Sequence, residues 1–161
     1  MDIYREIEES TARKYGAIAA GTKKSIGDFL LEDDVRRPVN VKSNNLDKKN
    51  YSPNIISAKR LIDWLQTEGN ELFFVFVNYK VESGKIVVID DSGLLPYFQI
   101  SWDCLTIEAQ GWGVIQMYKP LQIKKEQTVK EFLGGMRSAY EKYIQKETKK
   151  MAKIREMIKD F

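Results

Sequence analysis

Between residues 26 and 43 apolar residues flank the charged stretch Asp33-Asp34-Val35-Arg36-Arg37, and over Val39-Asn40-Val41-Lys42 apolar and polar side chains alternate with a period of two. That period belongs to strands, whose side chains point alternately to opposite faces. It predicts two short antiparallel strands, 26–32 and 38–43, with the charged stretch as their turn. Asp28, Leu30 and Glu32 then share one face of the first strand. Asn40 and Lys42 share a face of the second, while Val39 and Val41 point into the core.

Upstream, residues 2–19 carry apolar side chains at the looser spacing of a helix (Ile3, Tyr4, Ile7, Thr11 and Ile18), with Glu6, Glu8 and Glu9 on its first turns, where the helix dipole favours acids. Gly21-Thr22 ends that helix. Downstream, Asn44 to Asn54 is a polar loop dense in asparagine and lysine. Ser52-Pro53 supplies a cap and a first-turn proline for a helix over 53–67, buried through Ile55, Ile56, Leu61, Ile62 and Leu65. Leu72–Val77 is apolar on both faces, the mark of a central strand covered on both sides. The turn Glu82-Ser83-Gly84-Lys85 leads into a partner strand over 85–89.

Residues 94–118 are less regular: Leu95-Pro96-Tyr97-Phe98 suggests a short helical turn and 112–118 another strand. Trp102 and Trp112 suit core or interface positions. From 126 to 160 the spacing is strongly helical, with Gly134-Gly135 as a kink or a site of close helix packing. A strand apolar on both faces needs two helical layers. The expected fold is therefore an α/β/α sandwich with a central mixed sheet and a long C-terminal helix.

Composition narrows the chemistry more than the class. A chain of 161 residues, 43% hydrophobic and 30% charged, suits a single domain over 1–161, with 126–161 as its C-terminal helical segment. The formal net charge of +3 and pI near 8.8 permit nucleic-acid binding without requiring it. One cysteine, Cys104, precludes an intramolecular disulfide. The start lacks the pattern of a signal peptide, and the apolar run 72–77 is too short to span a bilayer, so the expectation is a cytoplasmic protein with no membrane partner. The chain has no histidine. Ser-His-Asp and Cys-His catalysis are thereby excluded, and any hydrolysis must rest on carboxylates, lysine, tyrosine or a metal held by oxygen.

Within those limits the hairpin is the candidate site. An acid, an amide and a lysine at the edge of a hydrophobic hairpin suit a metal ion and a phosphate. Ordinary polar-out alternation would produce the same pattern. One first-helix glutamate, Glu8 or Glu9, could face it. In the following loop, Asn and Lys are residue types that contact base edges and phosphates, as is Lys59 in the next helix. Residues 141–161 hold seven Lys or Arg against four Asp or Glu, a solvated face by default and a dimerisation or DNA-backbone surface otherwise.

The order of helix, Gly27-Asp28 on a strand, turn, and Asn40-Val41-Lys42 on the paired strand resembles the PD-(D/E)XK nuclease superfamily. The eleven residues between Asp28 and Asn40 fit that arrangement. Val41-Lys42-Ser43, the Asn-rich loop, and Ile55–Arg60 before a Phe-rich strand resemble small type II restriction endonucleases over roughly residues 1–90. The resemblance implies a Mg²⁺-dependent endonuclease acting on double-stranded DNA, as a homodimer. Asp28 would be the first motif acid and a Mg²⁺ ligand, and Lys42 the motif lysine that orients or helps deprotonate the attacking water. The Val41 carbonyl would complete the metal shell, with Glu8 as the extra acid. Ser43, Asn44, Asn45, Lys48, Lys49, Asn50, Tyr51, Asn54 and Lys59 would contact DNA.

The family's second acid falls at position 40, which is Asn. The carboxylate has been replaced by engineering, or has moved to Glu8, Glu9, Glu32 or Asp63, or the chain is a catalytically inactive DNA-binding or interaction protein on the same scaffold. A helical assembly protein using residues 126–160 and not touching DNA is the third class.

Overall fold

The computed structural model of the chain describes residues 2–16 and 26–161; the expected helix end at Gly21-Thr22 and positions 17–19 of the expected first helix lie outside them. The chain divides into two compact units, Met1–Tyr51 with Trp64–Tyr97, and Ser52–Asp63 with Phe98–Phe161.

The first unit is built on a mixed sheet. Helix α1 (Ile3–Lys14) is capped by Asp2, whose Oδ1 accepts from the backbone N–H groups of Tyr4 and Arg5, and it closes with Arg13 and Lys14 in its last turn. Strands β1 (Phe29–Leu30) and β2 (Pro38–Asn45) pair antiparallel, with Phe29 opposite Val39. Strand β2 then pairs parallel with β4 (Phe73–Glu82), which pairs antiparallel with β5 (Lys85–Asp91) and, at its start, with β6 (Leu95–Pro96). The β4–β5 hairpin turns through Ser83 and Gly84 at φ of 50° and 74°, the left-handed pair that matches strand twist.

Ile7 and Ala12 of α1 pack against Phe29, Val39, Val41, Val75, Val77 and Tyr79, the main core of this unit. Alternation puts Phe74 and Phe76 on the other face of β4, where they stack with centroids 6.1 Å apart and are buried as well. Both faces of β4 are therefore covered, as its uninterrupted apolar run requires.

The second unit holds a three-stranded antiparallel sheet, in the order β3 (Asn54–Ser57), β8 (Val114–Met117), β7 (Leu105–Glu108). Helix α3 (Val129–Ile158) follows. Its start is a capping box, in which Thr128 and Glu131 satisfy each other's backbone N–H groups.

Two local expectations change. Residues 54–57 form a strand, not the opening of a helix, because the β-branched pair Ile55-Ile56 is buried and paired with β8. Helix α2 (Ala58–Leu65) starts four residues later, and the capping hydroxyl is that of Ser57, on the backbone N–H of Arg60. The first strand of the hairpin also ends sooner than its alternation implied. Leu31–Asp33 is a 3-10 turn with Glu32 and Asp33 at φ of 50° and 55°. Glu32 is thus removed from the face that carries Asp28.

Gly134 and Gly135 do not kink α3. A Cβ on Gly135 would come within 2.3 Å of Trp102 Cδ1, whereas one on Gly134 would meet nothing within 4 Å. The Trp102 indole lies across Gly135, donates to the Phe132 carbonyl at 2.9 Å, and packs on the Phe132 ring. Two adjacent glycines should therefore respond with opposite sign. Gly134→Ala is expected to stabilise the chain by about 0.5–1 kcal/mol through helix propensity. Gly135→Ala is expected to destabilise it by about 1–3 kcal/mol, since overpacking against Trp102 outweighs the same propensity gain. Urea unfolding of the two variants beside the parent chain checks both signs.

Candidate active site

The site forms just before β1, where the chain approaches β2. Gly27 lies flat against the second strand, where a Cβ would stand 2.8 Å from the Val39 carbonyl oxygen and 2.9 Å from Pro38 Cβ. This close approach requires glycine, and it delivers the Asp28 N–H to the Val39 carbonyl at 2.7 Å. Phe29 is the β1 residue paired with Val39, so Asp28 stands just before the ladder, beside Val39.

Two residues further along β2, the Asp28 carboxylate takes the place of a strand partner. Its Oδ2 accepts from the Val41 N–H at 2.6 Å, a short charge-assisted hydrogen bond. The Val41 side chain is buried, and its backbone amide and carbonyl are both directed to the β1 side, by the alternation of an antiparallel pair. Asn40 donates its amide Nδ2 to the Ile26 carbonyl at 3.4 Å, which turns Oδ1 away from that carbonyl. Lys42 follows Asn40 at a spacing of two, on the same face of β2.

Helix α1 contributes Glu8. Ile7, Thr11 and Ala12 are buried on its inner side, and Glu8 sits at the edge of that side, one turn before Ala12. Glu8, Asp28 and Lys42 are close enough to alter one another's ionisation. Burial raises the Glu8 carboxyl above its ordinary value, with the charges of Asp28 and Asp2 adding to the rise and Lys42 opposing it. Burial likewise raises Asp28, against the lowering effect of the Val41 hydrogen bond and Lys42. Burial lowers Lys42, while Asp28 and Glu8 hold its proton on. In all three the charged form is disfavoured by lost hydration, the largest effect on each.

The remaining candidates separate by place. Glu9 pairs with Arg5 at 3.0 Å, Glu32 is exposed beside Arg37, and Asp63 pairs with Lys59 in the second unit. Of the four positions considered for a displaced carboxylate, Glu8 is the one electrostatically joined to Asp28 and Lys42. Among the described residues there is no group of three or more His, Cys, Asp or Glu side chains that could hold a metal. Any ion here would take amide and carbonyl oxygens beside the two acids.

Asn44 and Asn45 belong to β2 and not to the loop. Asn44 donates to Asn78 Oδ1 at 3.1 Å, and Asn78 donates to Asp90 Oδ1 at 2.7 Å. Asn45 Oδ1 accepts from the Asp47 N–H at 3.0 Å. Ser43 precedes them on the strand, while Lys48, Lys49 and Asn50 are exposed in the turn that follows. Tyr51 is half-buried; burial pushes its hydroxyl pKa up to about 12, and that hydroxyl has no hydrogen-bond partner among the described residues. Asn54, bonded to Gln110, and Lys59 lie in the second unit. Asn78 was not anticipated from the sequence. Its signal was the single amide that interrupts the apolar run of β4 directly after Val77.

No family model and no curated protein matches the sequence. Among solved structures the chain is similar to one described as "NlaIV restriction endonuclease", with a TM-score of 0.54 at 14% identity. The likeness covers 86% of this chain and 63% of the other, so this chain spans less than two thirds of that protein's length. At such identity the likeness is one of fold. The chain has a restriction-endonuclease-like α/β fold with a central mixed sheet and a long C-terminal helix, the class expected from its pattern.

The electrostatics of Glu8 predict a stability effect with a definite pH dependence. A carboxyl whose folded pKa lies above its unfolded value destabilises the fold once ionised. That penalty is complete above the folded pKa and vanishes below the unfolded value of 4.5. Glu8→Gln should therefore raise the thermal midpoint at pH 8 by roughly 1–3 °C, a small gain because solvent screens this part-exposed group. The gain should shrink as pH falls through the raised pKa and disappear below 4.5. Thermal unfolding scans of both chains across that range check the sign.

Proposed function

We propose that the chain is a Mg²⁺-dependent DNA endonuclease of restriction type, hydrolysing phosphodiester bonds at a specific double-stranded site. The observation that carries this reading is the three-way coupling of Asp28, Glu8 and Lys42 at the start of β1, in a fold like that of a restriction endonuclease. A pair of half-desolvated carboxylates beside a half-desolvated lysine is costly for a purely structural hairpin. It is the arrangement that phosphodiester hydrolysis needs when no histidine is present.

The donors fit a hard, oxygen-seeking ion. Asp28 and Glu8 supply charge, the Val41 carbonyl and Asn40 Oδ1 supply neutral oxygens, and the raised carboxyl pKa values describe a place where added positive charge is welcome. When bound, Mg²⁺ supplies charge neutralisation at the scissile phosphate and acidifies a water. The chain does the rest. Asp28 is held in place by the Val41 N–H, so its second oxygen has a set direction. Lys42, with its proton affinity lowered, orients the attacking water, helps to take its proton and offsets charge on the pentavalent transition state. Ser43 and the exposed Lys48, Lys49 and Asn50 lie next along the chain, where phosphate and base-edge contacts belong. Asn44, Asn45, Tyr51, Asn54 and Lys59 complete the proposed DNA contacts. A symmetric DNA site is most simply met by a homodimer.

Asn40 favours a second reading, because an amide brings no charge where the family carries an acid. On that reading the chain binds DNA without cutting it. Binding would fall steeply with salt, need no metal, and be indifferent to Asp28→Ala.

Plasmid incubation separates the two. With Mg²⁺ the parent chain should nick or linearise supercoiled DNA, and chelation should abolish this. Asp28→Asn keeps an oxygen for the Val41 N–H but removes the charge, and should lower the rate at least about a hundredfold. Asn40→Asp should raise it. If neither the parent nor Asn40→Asp cuts, the enzyme reading fails, and a gel shift at two salt concentrations decides for the binding protein.

A further inference from the structure

Two apolar features of the second unit remain without a role. One is a groove of about 550 Å³ walled by Trp112, Leu133, Met136 and Tyr140, with Lys59 and Arg137 at its edge. Trp112 stands 69% exposed there, on a turn that the Tyr140 hydroxyl secures by donating to the Trp112 carbonyl. The other is the far half of α3. Ile144, Met151, Ile154, Ile158 and Phe161 are 45%, 69%, 54%, 64% and 107% exposed. From residue 148 to the end of the chain no side chain is buried.

The two features lie on one face of one helix. Leu133, Arg137, Tyr140, Ile144, Glu147, Met151, Ile154, Ile158 and Phe161 follow alternating steps of four and three, the 3.5-residue period of a coiled-coil seam. Lys142, Lys146, Lys149 and Lys153 form a stripe on the opposite face, so the far half of the helix is amphipathic, with no partner among the described residues on its apolar side. A helix this long draws its stability in water chiefly from packing of that side. The exposed seam offers on the order of 700 Å² per chain, close to what one partner gives a standard interface.

We propose that this seam pairs antiparallel with the same seam of a second copy. Antiparallel pairing sets Ile144 opposite Ile154 of the second copy, Met151 opposite Glu147, and Ile158 opposite Tyr140. Phe161 of each chain then falls beside Arg137 and Leu133 of the other, at the apolar groove, so one two-fold contact covers both features. Charge selects the direction. Glu141 and Arg155 flank the seam at equivalent heptad positions and meet across an antiparallel pair. A parallel pair would instead set Glu147 against Glu147 in the seam and Lys150 beside Arg155 at its flank. Lys150, which lies on the two-fold axis of the antiparallel pair, is held by Glu147 of its own helix at 3.2 Å. The inference does not rest on the chemistry at Asp28.

Sedimentation velocity on the full chain across a dilution series tests it. The expected result is a dimer of twice 18.7 kDa. Ile154→Glu should raise its dissociation constant more than about a hundredfold, by burying a charge in the seam. Lys149→Glu on the opposite face should leave it unchanged. Glu141→Arg and Arg155→Glu should each weaken the dimer about threefold to tenfold, and the double variant should restore it. Circular dichroism of these rim variants checks that the helix itself stays intact. A chain that stays monomeric at its highest soluble concentration overturns the proposal, whether or not it binds anionic vesicles through this face. So does a dimer that Ile154→Glu leaves unchanged, or single reversals that the double variant fails to rescue.

Discussion

The seating of Val39 and Val41 against Val75, Val77 and Ile7 is the constraint on which the first unit depends. These side chains set the register of β2, since a slip of one residue would bring Asn40 and Lys42 into an apolar interior. With that register held, Gly27 can lie flat on Val39 and Asp28 is bonded to the backbone of Val39 and Val41. The same packing sets the height of α1 through Ile7 and Ala12, and thereby the position of Glu8. A small hydrophobic core thus determines where three ionisable groups meet.

Those groups are held at a cost. Each is pulled from its ordinary ionisation by lost hydration, and the mutual attraction of Lys42 with the two acids recovers part of it. The short bond from Val41 to Asp28 shows how the backbone takes part, since β1 does not reach this far and the strand's open N–H would otherwise go unmet. Asn40 fits the same economy, because a third carboxylate beside Asp28 and Glu8 would raise all their ionisation costs. The arrangement therefore trades charge at position 40 for tolerance of the other two acids.

The second unit follows different physics. Its small sheet is covered by the near half of α3, where Phe132 and Met136 are buried and the Trp102 indole crosses the helix at Gly135. Beyond Tyr143, which is half-buried, the helix continues for some four turns with its apolar side uncovered. A capping box sustains its start locally, and among the described residues no side chain covers that apolar side.

Much of this was legible in the residue order, and its limits have physical reasons. Period-two alternation located the hairpin and the shared face of Asn40 and Lys42, because strand geometry leaves side chains no other choice. The double-sided apolar run marked the central strand, and helical spacing marked α3. Local pattern failed where partners decide: Ile55-Ile56 became a strand because β8 pairs with it, and Asn44-Asn45 joined β2 because β4 continues alongside. It also could not choose between Glu8 and Glu9. Adjacent helical residues point about 100° apart, and only the packing of Ile7 and Ala12 turned Glu8 toward Asp28 and Lys42. The sequence by itself determined which residues lie on which face of each element. Tertiary structure decided which faces meet, because desolvation and charge coupling act between elements that are distant in the chain.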